Sequence, residues 1–217
     1  MYSDMAARGY TAPGRTSTLF AQTMGLVALT AGFFAAGAYA GRNLGQGAVI
    51  IAWIAAFVVL LIMNFAARRS AAAAVVLLAV FGVLIGVASA PTLVYYATAD
   101  PAVLWQSGGA TALFVAAFGT FGYLTNRDLS AWRRISGIAL LILRVAGIVL
   151  VFVHIPHASL VWAILGLVIF AGLTAGDFQR LRRSKNMDSA PLIAASIFLD
   201  ILNVFFFFLR IFSGGRD

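Results

Sequence analysis

The 217-residue chain contains no cysteine. That absence excludes a disulfide framework, a thiol nucleophile and a cysteine-ligated metal. Glutamate is absent as well, so seven aspartates carry every side-chain carboxylate. Lysine occurs once, at Lys185 in a polar stretch, which leaves no lysine inside an apolar run to hold retinal as a Schiff base. Charge of either sign is scarce: 10% of residues, against roughly 25% in a soluble domain. What is present instead is apolar, 62% of the chain with a mean hydropathy of +0.98. A soluble core of this size cannot hide that much apolar surface, so the solvent for most of it is lipid. The net charge of +8 is not a nucleic-acid footprint, because the arginines sit in short connectors rather than on one watery face.

A helical span needs roughly 20 apolar residues. Seven runs qualify, at 18–41, 47–67, 71–96, 102–125, 135–155, 158–179 and 190–212. The sequence therefore predicts an all-α, polytopic membrane protein. A polar tail over 1–17 precedes a seven-helix transmembrane domain over 18–217. The first run is too long for a signal-peptide core and reads as a retained span. Pro91 is expected to kink or end the third span. Small residues four apart, Gly37 with Gly41, Gly82 with Gly86 and Gly172 with Gly176, mark faces where helices approach closely.

Orientation follows from the basic residues beside the spans. Arg8, Arg15, Arg68, Arg69, Arg127, Arg133, Arg134, Arg180, Arg182, Arg183 and Lys185 fall on one side, and Arg42, Arg210 and Arg216 on the other. The N-terminus is thus expected in the cytoplasm. Short connectors and an Ala/Gly/Arg-rich composition point to a bacterial cytoplasmic membrane.

Three charged residues remain inside the runs: Arg144, Asp177 and Asp200. An ionisable group within a membrane is a functional hypothesis by default. Asp200 lies about ten residues into the last span, roughly 15 Å along a helix. Its stem is one carbon long and cannot snorkel, so it must face protein or water. Ser196, Asp200, Asn203 and Arg210 follow one another at helical spacing and form a polar stripe. A hydrogen-bonded structural core is the bland alternative for that stripe. Asp177 stands nearer a span end, where pairing with Arg180 or Arg182 would also explain it. If the two carboxylates meet in low dielectric, they cannot both ionise cheaply and they titrate as a pair. Such a pair is a candidate proton sensor and a candidate Ca²⁺ site, since hard cations prefer oxygen ligands. Arg144 pairs with a carboxylate, faces a polar cavity or snorkels; the residues leave this open. His154 and His157, flanking Pro156, make only a weak metal signal and read as loop histidines.

The C-terminal run APLIAASIFLDILNVFFFFLRIFSG resembles the last helix of Bax inhibitor-1-like proteins. The matching features are Leu199-Asp200, Asn203 and Leu209-Arg210. Asp177, Gln179 and the basic stretch Arg180 to Lys185 resemble the family's preceding aspartate, amide and basic loop. The segment TALFVAAFGTFGYLTNRDLSAW resembles a third family pattern, ending in basic-Asp-Leu-Ser. The resemblance implies a central C-terminal helix surrounded by the other six. It implies a pH-sensitive calcium leak controlled by Asp177 and Asp200, with Arg68, or failing that Arg69, as a latch on one of them. Many relatives carry Tyr where this chain has Gly176, so a phenol hydrogen bond is lost there. No cofactor is implied beyond Ca²⁺ as the transported ion; the expected partners are the bilayer, calcium ions and protons.

Other classes fit less well. Gly176-Asp177 echoes part of an aspartyl intramembrane protease motif, but Leu173-Thr174-Ala175 precedes it and Asp200 lacks the partner motif. Ser107 lacks the Gly-x-Ser-Gly turn of a serine intramembrane protease, and the protein is expected not to be an enzyme. A membrane scaffold that influences stress survival without flux remains compatible with every residue named.

Overall fold

A computed structural model describes residues 14–67, 69–152, 158–184 and 186–214. The expectations for most of the N-terminal tail, for Arg68, Lys185, His154 and His157 fall on residues outside that set. Among the described residues the chain forms seven α-helices: α1 (Gly14–Gly41), α2 (Gln46–Ala66), α3 (Ala71–Ala99), α4 (Pro101–Leu124), α5 (Ser130–Phe152), α6 (Ala158–Arg183) and α7 (Ala190–Phe212). A 3-10 turn, Met187–Ser189, precedes α7. No strand occurs among the described residues.

Six of the helices are long and apolar enough to cross a membrane. The remaining one, α5, is 23 residues long. It begins five residues before the apolar run predicted for it, and so takes Arg133 and Arg134 into the same helix as Arg144. Pro91 does not end α3, which continues to Ala99. Neighbouring helices can re-satisfy the carbonyl that a proline frees within a membrane bundle.

The C-terminal helix is the most buried of the spans, as its aromatic residues explain. Phe198 meets Phe34 of α1 and Phe81 of α3 edge-on, at 6.0 and 6.3 Å between centroids. Phe207 meets Trp162 and Phe170 of α6 at 5.0 and 5.7 Å. Phe208 meets Phe114 of α4 at 6.0 Å. Each ring brings a large apolar area with little conformational freedom to lose. The expectation of a helix enclosed by all six others needs one correction. The main neighbours of α7 are α1, α3, α4 and α6, while α2 leans on α3 and α5 on α6.

The outer faces stay apolar. Trp53, Ile54, Phe57 and Phe65 of α2 are all exposed, as lipid-facing positions should be. The predicted small-residue faces work as expected between α1 and α3. Gly37 lies against the Val83 backbone, and Gly86 against the backbones of Phe34 and Ala38.

Candidate functional site

The site is built where α6 and α7 run antiparallel. Ser196 and Asp200 are four residues apart and share one face of α7. Opposite them, Asp177 and Thr174 are three apart on α6. The Ser196 hydroxyl donates a hydrogen bond to the Asp177 carboxylate, which ties the two helices together. One turn further on, the Thr174 hydroxyl lies beside Asp200, and the charges of Asp177 and Asp200 act on one another. Asp177 and Asp200 are only 6% and 5% exposed, so neither is a solvated helix-end residue. The helix runs on to Arg183, which carries Asp177 well inside it. Asp200 Oδ2 and Thr174 Oγ1 make no hydrogen bond in the structure. A buried carboxylate oxygen without a partner is costly, and such orphans mark a place where a proton, water or cation completes the geometry.

Both aspartates open onto one cleft of about 610 Å³ between α5, α6 and α7. Ser196 and Asn203 line it, and Asn203 Nδ2 is engaged by the Leu199 carbonyl at 2.6 Å. Leu140, Phe170, Leu173 and Leu199 supply its apolar bed. Arg210, grouped with the stripe by spacing, does not line the cleft. It sits in the last turn of α7, where a cation complements the helix dipole.

The opposite wall was legible in the sequence only in part, through Arg144, one of whose readings faces a polar cavity. Arg133, Arg134, Gly137, Leu140 and Arg144 all border the cleft from α5. Arg133 and Arg134 had been counted as connector charges. The available signal was the spacing of Arg133, Gly137, Leu140 and Arg144, which places them on one helical face. Among the described residues no ion pair forms in the cleft; Arg183 and Asp128 make an exposed ion pair at 2.9 Å outside it. Among the described residues no three histidines or carboxylates converge on a metal-binding point.

The end of α6 also fixes the connector between α4 and α5. Gln179 Oε1 accepts from the Leu129 N–H at 2.9 Å, and its Nε2 donates to the Arg127 carbonyl at 2.7 Å. Arg182 donates to the Thr125 carbonyl. Gln179 is buried, so Gln179→Leu orphans a buried N–H and a carbonyl. It should cost about 2 kcal/mol, read as reduced resistance to denaturant in detergent and faster proteolysis of the connector. A cost no larger than that of an exposed Gln→Leu change would refute this assignment.

Asp128 caps α5 through the Ser130 N–H at 3.1 Å and the Ser130 hydroxyl at 3.0 Å. These bonds, the backbone one foremost, together with Arg183, hold its carboxyl below the usual range. A depressed carboxylate contributes stability that is complete above its unfolded pKa, about 3.9, and is lost as pH falls through the folded value. Asp128→Asn should therefore lower the thermal midpoint slightly at neutral pH and converge with the parent chain as pH falls below the usual carboxylate range. A difference that does not change with pH would contradict the cap.

Comparison with known proteins finds relatives across most of the chain. A family model described as "Inhibitor of apoptosis-promoting Bax1" matches residues 16–217. The inner membrane protein YbhL of Escherichia coli is 30% identical over 152 residues, 64% of this chain and 63% of that protein. YrjE of Lactococcus lactis is 29% identical over 147 residues, 63% of this chain and 62% of that protein. A membrane protein of Streptococcus pyogenes is 30% identical over 178 residues, 79% of this chain and 74% of its own length. The matches to the first two thus span a little under two thirds of each relative.

Proposed function

Because the chain belongs to the Bax inhibitor-1 family, we propose that it is a passive, pH-sensitive calcium leak in which Asp177 and Asp200 handle the ion and the proton. The observation that carries this reading is the pair of carboxylates buried on one cleft, one of them with an oxygen lacking any hydrogen bond. Two carboxylates so placed are stable only when they share a proton, hold a cation or face opposite charge. A proton and a cation use the same oxygen lone pairs, so pH and calcium compete for them.

Ca²⁺ takes about six to eight oxygen ligands. Asp177, Asp200, Ser196 and Asn203 supply part of that shell, and water would complete it. An incomplete protein shell binds weakly, which suits a pathway, since an ion must leave as readily as it enters. Arg68, two residues beyond α2 in the sequence, is the proposed latch on Asp177. The basic connectors support a cytoplasmic N-terminus. The name of the Escherichia coli relative, an inner membrane protein, supports an inner-membrane location.

The test is Ca²⁺ flux into liposomes across a pH series for the parent chain, Asp200→Asn and Arg68→Ala. The parent should conduct with a pH-dependent rate, and both variants should change the profile. A parent that does not conduct, or variants indistinguishable from it, would remove the leak reading and favour a scaffold without flux.

A further inference from the structure

Two cavities lie end to end along α5 and α6. One is the cleft holding Asp177 and Asp200. The other, about 320 Å³, is polar and sits at the arginine-rich end, lined in part by Asp128, Gln179, Arg180, Arg183 and Ser184. Only Ser130 and Arg133 border both. The stem of Arg133 is laid directly over Gly176. A Cβ at Gly176 would meet the Cβ, Cγ and Cδ of Arg133 at 3.0 to 3.1 Å. The bare backbone one residue before Asp177 is therefore the seat of this arginine, and the charge of Arg133 acts on Asp177.

The other charges around Asp177 are distinguishable. Arg180 acts on it from its own helix but does not border the cleft. Arg134 and Arg144 border the cleft from α5 but not the polar cavity. Asp200 faces it from α7, and Ser196 is bonded to it. Arg182 and Arg183 are anchored on the α4–α5 connector. The Arg133 side chain makes no hydrogen bond or ion pair with any described residue, whereas its backbone N–H donates to the Leu129 carbonyl at 2.9 Å and its stem packs on Gly176.

We propose that Arg133 is the door between the two cavities: ions and water reach Asp177 and Asp200 from the arginine-rich side between α5 and α6, and its side chain must swing off Gly176 for a cation to pass. This rests on the reading of the aspartates as an ion-handling pair, and it adds an access route and a gate on α5, separate from a latch on α2. A mobile cation in a narrow passage opposes entry of other cations, and it is released when its partner carboxylate is neutralised.

The chain has no cysteine, so a single Leu199→Cys in the cleft reports accessibility without background. The full-length protein in vesicles is labelled with a cationic, membrane-impermeant thiosulfonate from the side of the α4–α5 connector. Arg133→Gln should raise the labelling rate by about tenfold. Arg133→Lys should raise it less, and Gly176→Val, which displaces the stem without removing the charge, should raise it too. Arg42→Gln, at the other end of the bundle, should leave it unchanged. Retention of the native elution profile in detergent qualifies each variant.

Equal labelling with and without Arg133 overturns the proposal. So does the absence of labelling in both backgrounds when Asn203→Cys is equally silent, because no passage then leads to the cleft. Flux in the same vesicles separates the two readings. If Arg133→Gln speeds labelling but the parent chain does not conduct, the door stands and the leak fails. If flux depends on Asp200 while Arg133→Gln alters neither flux nor labelling, the leak stands and the door fails.

Discussion

In Asp200→Asn, Ca²⁺ flux should lose its pH dependence, with rates at about pH 6 and pH 8 becoming equal, and the apparent affinity for Ca²⁺ should fall by about 100-fold or more. Removing one charge about 4 Å from a divalent cation forfeits roughly 8 kcal/mol of attraction at an effective dielectric of 20, and the smaller desolvation cost of a neutral amide returns several kcal/mol of it. The substitution suits the purpose because it spares the fold. Asp200 Oδ2 has no hydrogen-bond partner to lose, and the unpaired Thr174 Oγ1 beside it can accept from the new amide. Stability should therefore move by less than about 1 kcal/mol, so a changed flux cannot be blamed on unfolding. Flux measured against pH, with calcium-dependent thermal stabilisation as a second readout, checks both halves. A persistent pH profile with full calcium affinity would show that Asp200 is a structural polar residue.

The second large effect lies in the packing of α1 on α3. Gly86→Leu should cost about 3 kcal/mol or more and cause loss of the monodisperse protein in mild detergent. A side chain there would run into the Phe34 carbonyl, with the Ala38 nitrogen at 2.9 Å, and backbone cannot step aside as a side chain can. Without a hydrophobic drive between helices in lipid, close van der Waals contact is much of what holds them together. Displacing α3 also withdraws Phe81 from Phe198 on the central helix. The contrast is Gly32→Leu on α1, where a Cβ meets nothing within 4 Å. That change should leave stability within about 0.5 kcal/mol. Equal tolerance at both positions would mean that α1 and α3 are held by something other than close backbone contact.

Much of this architecture could be read from the residues because lipid imposes a simple rule. Long apolar runs become helices, and a short-stemmed charge such as Asp200 must turn inward. The repeat of Gly37, Gly82 and Gly86 announced a close contact for the same reason. What the residues alone did not reveal depended on where a helix starts. Moving the start of α5 back to Ser130 turned Arg133 and Arg134 from connector charges into one wall of the cleft. Extending α6 to Arg183 moved Asp177 from a helix end to a buried position. Arg210 shows the opposite error. Spacing along one helix implied membership of the site, but Arg210 follows Asp200 by ten residues, about 15 Å, and the cleft ends before it. The seat of Arg133 on Gly176 is a tertiary contact, with no periodic signal to announce it.

The Gln179 amide has a mechanical consequence. One planar group bridges both a donor and an acceptor of the α4–α5 connector, two residues from Asp177 on the same helix. A rotation of α6 large enough to change what surrounds Asp177 must tow the first turn of α5 with it. The aspartate and the arginine wall are then two ends of one crank, so a local change of charge in the cleft becomes a coordinated movement of two helices.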